Sequence, residues 1–381
     1  MGKFYEFFAG GGMARMGLGP QWTCLFANDF DHKKSDVYRQ NWGDDVLKTA
    51  DVRTIRTSDL PDYADLVWGS FPCQDLSLAG SGAGLTGARS GTFWPFWSLM
   101  KALINEGRAP QMIVLENVCG TLSSHSGLDF AAICLALTNA GYRYGAVVID
   151  AALFVPQSRP RLFIIGVQQN LDLSRDLVDP HPSPIWHTTT LRTAYEKLSE
   201  NAKENWVWWS IKRPQLRNSC FADLVEEHPT SVPWHTPNET RQLLDMMSDI
   251  NLAKVEKAKK ARSRRVGTIY KRTRRDKNGV KVQRAEIRFD DIAGCLRTPA
   301  GGSSRQLIMV IDGESVKSRL ISSRETARLM GLPDEYKLPE NYNEAYHLTG
   351  DGVVVPVVRH LAEHVLGATL IHSTNHKREA A

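Results

Sequence analysis

Seven short apolar runs, each closed by glycines, acids or other polar residues, alternate with helical patterns through the first 170 residues. No other feature constrains the fold as strongly. The runs are "KFYEFF" (3–8), "TCLFANDFD" (23–31), "LKTADVRTI" (47–55), "ADLVWGS" (64–70), "QMIVLENV" (111–118), "GYRYGAVVID" (141–150) and "RLFIIGV" (161–167). Helical spacing lies between several of them, as at 92–106 and 128–140. Strand and helix alternating in this way predict an α/β chain built on a doubly wound, mostly parallel sheet. Such sheets hold ligands at the carboxyl ends of their strands. The turns after the first five runs carry "AGGG", "NDFD", "ADV", "FPCQ" and "ENV", so the reactive residues fall where this fold places a site.

Beyond residue 170 the rhythm stops. Residues 171–240 are rich in Pro, His and Trp and include "ENWVWWS" (204–210). The segment 270–289 then alternates around Asn278-Gly279, a hairpin-turn signal. From about 293 the composition becomes ordinary, with a helix predicted at "RETARLMGLP" and a strand-turn-helix at "GDGVVVPVVRHLAEHVLGATL" that returns to the first domain. A chain of 381 residues suggests two domains at about 150 residues each. The expected division is 1–170 with 293–381 as one domain and 171–292 as a smaller inserted one.

Charge is distributed unevenly. The net value is +5, but Lys254 to Arg288 holds 15 Lys and Arg against Glu256, Asp276 and Glu286, a local +12 on a chain otherwise near −7. A solvated helix and hairpin or a polyanion contact would both produce such a block. The six cysteines, Cys24, Cys73, Cys119, Cys134, Cys220 and Cys295, form no C-x-x-C pair, which argues against zinc and against a secreted disulfide framework. No metal ligand set is assigned. The start "MGKFYE" carries no leader pattern, and no uninterrupted apolar run approaches the roughly 18 residues of a membrane helix. A cytoplasmic protein without membrane contact is the expectation.

Two motifs bear on chemistry. "FAGGGM" (8–13) leads from a strand into a helix, where glycines admit close approach of a ligand. It departs from G-x-G-x-x-G because Arg15 holds the last position, which weakens a nicotinamide-dinucleotide reading. In "WGSFPCQDLS" (68–77), Cys73 taken alone is open to four readings: core thiol, metal ligand, half of a disulfide or nucleophile.

The ordered series "FAGGG", "FPCQ", "ENV", "QSRPRLFIIG", "RLMGLP" and "GDGVVVP" resembles the DNA cytosine carbon-5 methyltransferase family of bacterial and phage restriction-modification systems. The resemblance covers about 1–170 and 293–381. It implies a Rossmann-like, S-adenosylmethionine-dependent methyltransferase sheet, with 171–292 as the target-recognition, DNA-binding domain. Cys73 matches the family's nucleophile, a thiolate that attacks carbon 6 of cytosine and is aided by a following helix N-terminus. Glu116 matches the acid that serves ring nitrogen 3, its protonated form favoured by burial. Asn117 is expected to brace the loop. Arg161 matches the residue that meets the exocyclic oxygen and supports Glu116, while Arg159 braces the Cys73 loop or meets phosphate, and Gln157 is structural.

The implied cofactor is S-adenosylmethionine. Phe8, Gly10, Gly11 and Gly12 match its methionine-end loop, Asp29 the ribose acid, Phe30 the ring stacked on adenine, and Asp51 and Val52 the adenine-edge contacts. Asp65 and Pro72 are expected to flank it at the fourth strand. A helix N-cap is accepted for Asp31 but not for Asp29 or Asp51. Met13 stands where the family usually has a further Gly, and Asp351 where it usually has Asn, close to the cofactor carboxylate unless paired.

The substrate base must leave the duplex to meet a thiol. Residues 77–93 resemble the loop that closes over it, with Ser77 and Arg89 as phosphate contacts. The segment 297–306 resembles a backbone-reading loop, with Arg297, Ser303 and Ser304. Within the basic block, Arg272, Arg274 and Arg275 are the candidate DNA contacts. The Trp206–Trp209 cluster is expected to be packed core. The expected partner is double-stranded DNA, bound by a monomer, with any cognate restriction endonuclease acting separately. RNA methylation on the same chemistry, or a catalytically inactive DNA-binding scaffold, are the alternatives.

Overall fold

The computed structural model describes residues 1–72, 90–275, 278–298 and 305–372. Its contacts divide the chain into two compact units. One comprises Met1–Asp150, Pro160–Gln215 and the chain from Val353; the other comprises Ala151–Arg159 and Leu216–Gly352.

The first unit is organised by a seven-stranded sheet. Its strands are β1 (Gly2–Phe7), β2 (Trp22–Asp29), β3 (Leu47–Thr49), β4 (Leu66–Gly69), β5 (Met112–Val118), β6 (Tyr142–Asp150) and β7 (Pro160–Gln168). The order is β3-β2-β1-β4-β5-β7-β6, parallel from β3 to β5, with β7 antiparallel to both neighbours. The seven strands fall within a few residues of the seven apolar runs. Strand order reverses between β1 and β4, so the turns after these two strands open a crevice at the carboxyl edge. β4 and β5 are buried almost throughout, as strands covered on both faces must be.

Helices α1 (Met13–Leu18), α2 (His32–Trp42), α3 (Phe93–Asn105) and α4 (Leu128–Asn139) pack on this sheet. In α3 the residues Phe93, Phe96, Met100 and Leu103 recur at three- and four-residue steps, and all are excluded from solvent. Each contributes about 1.5–3 kcal/mol of burial. Pro95 is tolerated because it falls in the first turn, where an amide has no intrahelical partner.

Residues 171–215 stay with this unit. They hold β8 (Val178–Asp179), α5 (Thr189–Glu196), α6 (Glu200–Glu204) and β9 (Trp208–Trp209), with β8 paired to β9. Trp206 packs edge-on against Tyr144 and Phe130. A Cβ on Gly145 would lie 1.9 Å from the Val207 carbonyl, so only glycine lets this segment lie on β6. The tryptophans are packed side chains, with Trp186 and Trp209 fully buried.

The second unit contains α7 (Pro237–Asp245), α8 (Asp249–Lys259), β10 (Arg265–Arg275), β11 (Lys281–Arg288), β12 (Leu307–Asp312), β13 (Ser315–Leu320), α9 (Ser323–Leu329) and α10 (Tyr342–Asp351). The antiparallel sheet runs β11-β10-β12-β13. Gly279 (φ 78°) supplies the left-handed residue beyond Asn278 that the hairpin turn requires. Ile269, Ala285, Ile287, Leu307 and Met309 face Leu243, Met247 and Val255 in one core.

The two units part the chain elsewhere than at residues 170 and 293. Residues 171–215 remain on the large sheet, because their aromatic side chains find their burial there. Residues 293–352 join the second unit, because β12 and β13 complete the hairpin's sheet.

One predicted element is corrected. The valines of 353–358 form no strand; Gly352–Val354 is a short break, and α11 (Val355–Leu361) starts there with Pro356 in its first turn. α11 rests on α1 so closely that a Cβ on Gly17 would lie 2.3 Å from the Val358 Cβ. By length and mean hydropathy alone, Tyr342–His372 is one membrane-spanning candidate among the described residues. The break divides it, and Val355, Val357, Val358, Leu361, Val365 and Leu366 are buried within the protein.

Candidate active site

The turn between β1 and α1 is held from three sides. Phe8, Gly10 and Gly12 adopt positive φ (58°, 55° and 78°). Asp29 at the end of β2 accepts from the Gly10 amide at 2.7 Å and from the Asp31 amide at 2.8 Å. Trp42 at the end of α2 donates its indole N–H to the Gly11 carbonyl at 3.1 Å. Arg15 covers the Trp42 ring at 4.7 Å and donates to the Tyr38 hydroxyl at 2.9 Å. A Cβ on Gly12 would lie 2.3 Å from Trp42 Nε1, whereas one on Gly10 would meet nothing within 4 Å among the described residues. Gly12 is therefore required by the protein's own packing. Gly10 leaves an open cradle, which is the observation that fits a bound cofactor. Met13, in place of a further glycine, begins α1 with its side chain buried.

The neighbouring turns are tied to this one. Asn28 donates to the carbonyls of Lys48 and Ala50 at 2.9 Å each, and Ala9 N donates to Asn28 O. Asp29 is buried, and that burial raises its carboxyl above the usual carboxylate range. Phe30, directly after it, is 71% exposed, an unusual position for a large apolar ring and one suited to stacking. Asp31 caps α2, as expected.

Asp51 differs from expectation. It caps the short turn Val52–Thr54 through the Arg53 amide and also pairs with Arg53, so the cap reading rejected above is the one observed. Val52 is buried in the core beneath it. Asp65 is corrected outright: it lies at the amino end of β4, bound by Lys3 N and Gln111 Nε2 at 2.8 Å each. At about 3.3 Å per residue, that is roughly 13 Å from the carboxyl edge of the strand. Its place before the apolar run, where strands begin, is the signal that was missed.

The β5 end carries the acid. Glu116 is 7% exposed, and Arg161 on the antiparallel β7 reaches its Oε1 through Nε at 3.3 Å. The register explains the meeting, since Val118 faces Arg161 and Glu116 faces Phe163. Arg161 also donates to the Pro160 carbonyl at 3.0 Å. Asn117 donates to the Phe71 carbonyl at 3.2 Å, so β5 braces the chain immediately before Pro72. Cys73, Ser77 and Arg89 lie outside the described residues. Cys119 follows the same strand, its thiol pushed up to about 11 by burial despite the nearby Arg161 cation.

Arg159 stands apart from the expected roles. Its guanidinium is 1% exposed and donates to the carbonyls of Leu296, Gly350 and Gly352 at 2.9, 2.6 and 2.7 Å. It ties the 151–159 segment to the rest of the second unit and is enclosed away from any phosphate. Gln157 is likewise buried, bonded to Leu329 O and Leu296 N. Asp351 is paired, accepting from the Thr298 hydroxyl. Arg297 is exposed, and Ser303 and Ser304 lie outside the described residues. Arg272, Arg274 and Arg275 are exposed on β10 but divide between its two faces.

Two residues escaped the sequence reading. Trp42 gave no local signal, because its value depends on where α2 ends. Glu6 could have been noticed as a lone acid inside an apolar strand. It is buried, accepts from Arg15 N at 3.3 Å, has no partner on Oε2 among the described residues, and burial pushes its carboxyl up to about 8.

A sequence model of the family described as C-5 cytosine-specific DNA methylase matches residues 2–367. The chain is 25% identical to the Type II methyltransferase M.NlaX of Neisseria lactamica, over 97% of each chain. It is 26% identical to M.BsuFI of Bacillus subtilis, covering 94% of this chain and 71% of that one. Its fold is similar to the crystal structure of S. pombe Dnmt2 methyltransferase, with a TM-score of 0.60 at 18% identity over 97% of this chain and 99% of that one. A match over residues 2–367 takes in both the glycine turn and the β5 acid and leads to one conclusion: the chain belongs to the C-5 cytosine-specific DNA methylase family and is an S-adenosylmethionine-dependent DNA cytosine methyltransferase.

Proposed function

We propose that the chain methylates one cytosine within a specific double-stranded sequence, with Cys73 as nucleophile, Glu116 as acid at ring nitrogen 3, and Arg161 orienting both Glu116 and the base's exocyclic oxygen. The observation that carries this reading is the buried Glu116 paired with the half-buried Arg161 at the carboxyl end of β5, one residue from the asparagine that braces the chain before Pro72. When the Cys73 thiolate forms its bond to carbon 6, electron density moves into the ring, and a proton at nitrogen 3 offsets it. Carbon 5 can then form its new bond, after which its hydrogen leaves as a proton and the sulfur–carbon 6 bond breaks. Bound S-adenosylmethionine supplies the methyl group.

The residues present suit that cofactor. Gly10 leaves room for its approach, Phe30 offers a ring to its base, and Asp29 retains lone pairs for ribose hydroxyls beyond the two amides it already accepts. Asp51 and Val52 support the adenine edge, and Pro72 flanks the cofactor after the fourth strand. The second unit serves target recognition through its basic hairpin, and any cognate restriction endonuclease is a separate protein.

The test is cytosine-protection sequencing of unmethylated duplex DNA treated with protein and S-adenosylmethionine, beside the Cys73→Ala variant and a transfer RNA substrate. Methylation confined to one recurring DNA context, lost in the variant while DNA binding persists, is the expected result. Turnover by Cys73→Ala, or methylation of the RNA alone, would overturn it.

A further inference from the structure

The hairpin of the second unit sorts its charges by face. Cross-strand partners in an antiparallel pair share a face, and successive residues alternate. The pairs Tyr270–Glu286, Arg272–Arg284 and Arg274–Val282 therefore point one way. The pairs Ile269–Ile287, Lys271–Ala285 and Arg275–Lys281 point the other, and Ile269, Ala285 and Ile287 are buried in the unit's core.

The first face is organised around one acid. Glu286 holds Arg272 through Nε at 3.4 Å on one carboxylate oxygen and Arg274 through Nε at 2.5 Å on the other. The Tyr270 ring lies under the Arg272 guanidinium at 5.9 Å, and the Tyr270 hydroxyl is anchored to the Cys295 carbonyl at 2.6 Å. Both arginines are engaged by Nε, which leaves the Nη1–Nη2 edge of each for another partner. Two such forks on neighbouring same-face positions stand about 7 Å apart along the strand. That edge matches the O6 and N7 acceptors of guanine in the major groove, which is wide enough to admit a two-stranded ribbon. A carboxylate placed on a surface that meets a polyanion opposes binding through its charge. Its position between two arginines is accounted for if it orients them.

We propose that Arg272 and Arg274 read guanine in the target duplex, and that Glu286 is the positioning residue that presents their guanidinium forks. Arg275, on the opposite face and donating to the Gly279 carbonyl at 2.9 Å, meets phosphate instead. This rests on the DNA reading above.

The target sequence is first defined by mapping methylated cytosines. Duplexes carrying it are then made with each guanine replaced singly by 7-deazaguanine, which lacks N7 but pairs normally. For the unaltered protein, kcat/KM should fall roughly 5- to 150-fold at one or two guanines. In Arg272→Ala and Arg274→Ala the fall at the corresponding guanine should disappear. Arg275→Ala should weaken binding to every duplex alike and flatten its salt dependence. Glu286→Gln separates orientation from charge: the ratio of target to unrelated-duplex affinity should drop, while affinity for the unrelated duplex stays level or rises.

Indifference to 7-deazaguanine at every position, or penalties that persist in both arginine variants, would overturn the reading role. An unchanged affinity ratio in Glu286→Gln would overturn the positioning role. A protein that methylates duplex DNA yet gives these results loses only this inference. One that methylates no duplex loses the function on which it rests.

Discussion

Replacing Gly10 with alanine separates the protein's needs from those of its cofactor. Among the described residues a methyl group at this position meets no atom within 4 Å, so the cost to them is confined to the backbone, held at φ 55°. That conformation costs an L-residue about 1–2 kcal/mol, which lowers the melting temperature by roughly 2–4 °C per kcal/mol in a unit of this size. If S-adenosylmethionine lies against Gly10, the same methyl group occupies its place, and affinity should fall at least 100-fold, about 2.7 kcal/mol. Gly12→Ala is the counterpart. Its methyl group would lie 2.3 Å from Trp42 Nε1, so the clamp on the loop must shift and thermal stability should suffer more than in Gly10→Ala. Calorimetric titration of S-adenosylmethionine alongside thermal unfolding tests both. A Gly10→Ala protein that binds the cofactor with near-normal affinity would refute the placement of the cofactor over Gly10.

Trp42→Phe keeps the ring that Arg15 covers but removes the N–H given to Gly11 O. A neutral hydrogen bond is worth about 0.5–1.5 kcal/mol, so KM for S-adenosylmethionine should rise roughly 2- to 13-fold with kcat and KM for DNA nearly unchanged, as steady-state kinetics would read. Glu116→Gln removes the proton donor and should lower kcat by about 10²–10⁴-fold while the protein still binds DNA; single-turnover rates check this. Arg161→Ala leaves Glu116 buried without its cation, and chemical denaturation should show a loss of about 3–5 kcal/mol together with the loss of rate. Glu6 sets a pH dependence. Burial raises its folded carboxyl to about 8, so between the ordinary carboxylate range and pH 8 the unfolded chain binds fewer protons and stability falls as pH rises. Glu6→Gln should flatten that slope in melting scans from pH 5 to pH 8, and an unaltered slope would show that another group causes it.

The sheet was legible because its signal is local. An apolar run long enough for a buried strand, closed by polar residues, announces both the element and the edge at which chemistry can occur. Glu116, Asn117 and the glycine turn are read in this way, and so is the hairpin at Asn278-Gly279. Where the local signal was ambiguous, reading failed. Three valines before Pro356 look like a strand, but the proline opens a helix whose face is then buried on α1. Asp65 precedes its strand and Asp51 follows one, a distinction carried by the position of each beside its apolar run and not by residue type.

Local pattern specified the succession of strands along the chain, the turns that carry reactive groups, and the concentration of cations near the hairpin. Which of those groups meet follows from the folded arrangement. Glu116 reaches Arg161 because β7 runs antiparallel to β5 at a particular register. Arg159, two residues earlier, is enclosed by three carbonyls from distant segments and becomes a tie within its unit. Three neighbouring arginines divide between two faces because a strand alternates and Glu286 stands on one of them. Residue type and spacing act over a few positions along the chain, whereas desolvation, pairing and steric closeness depend on which residues folding brings together.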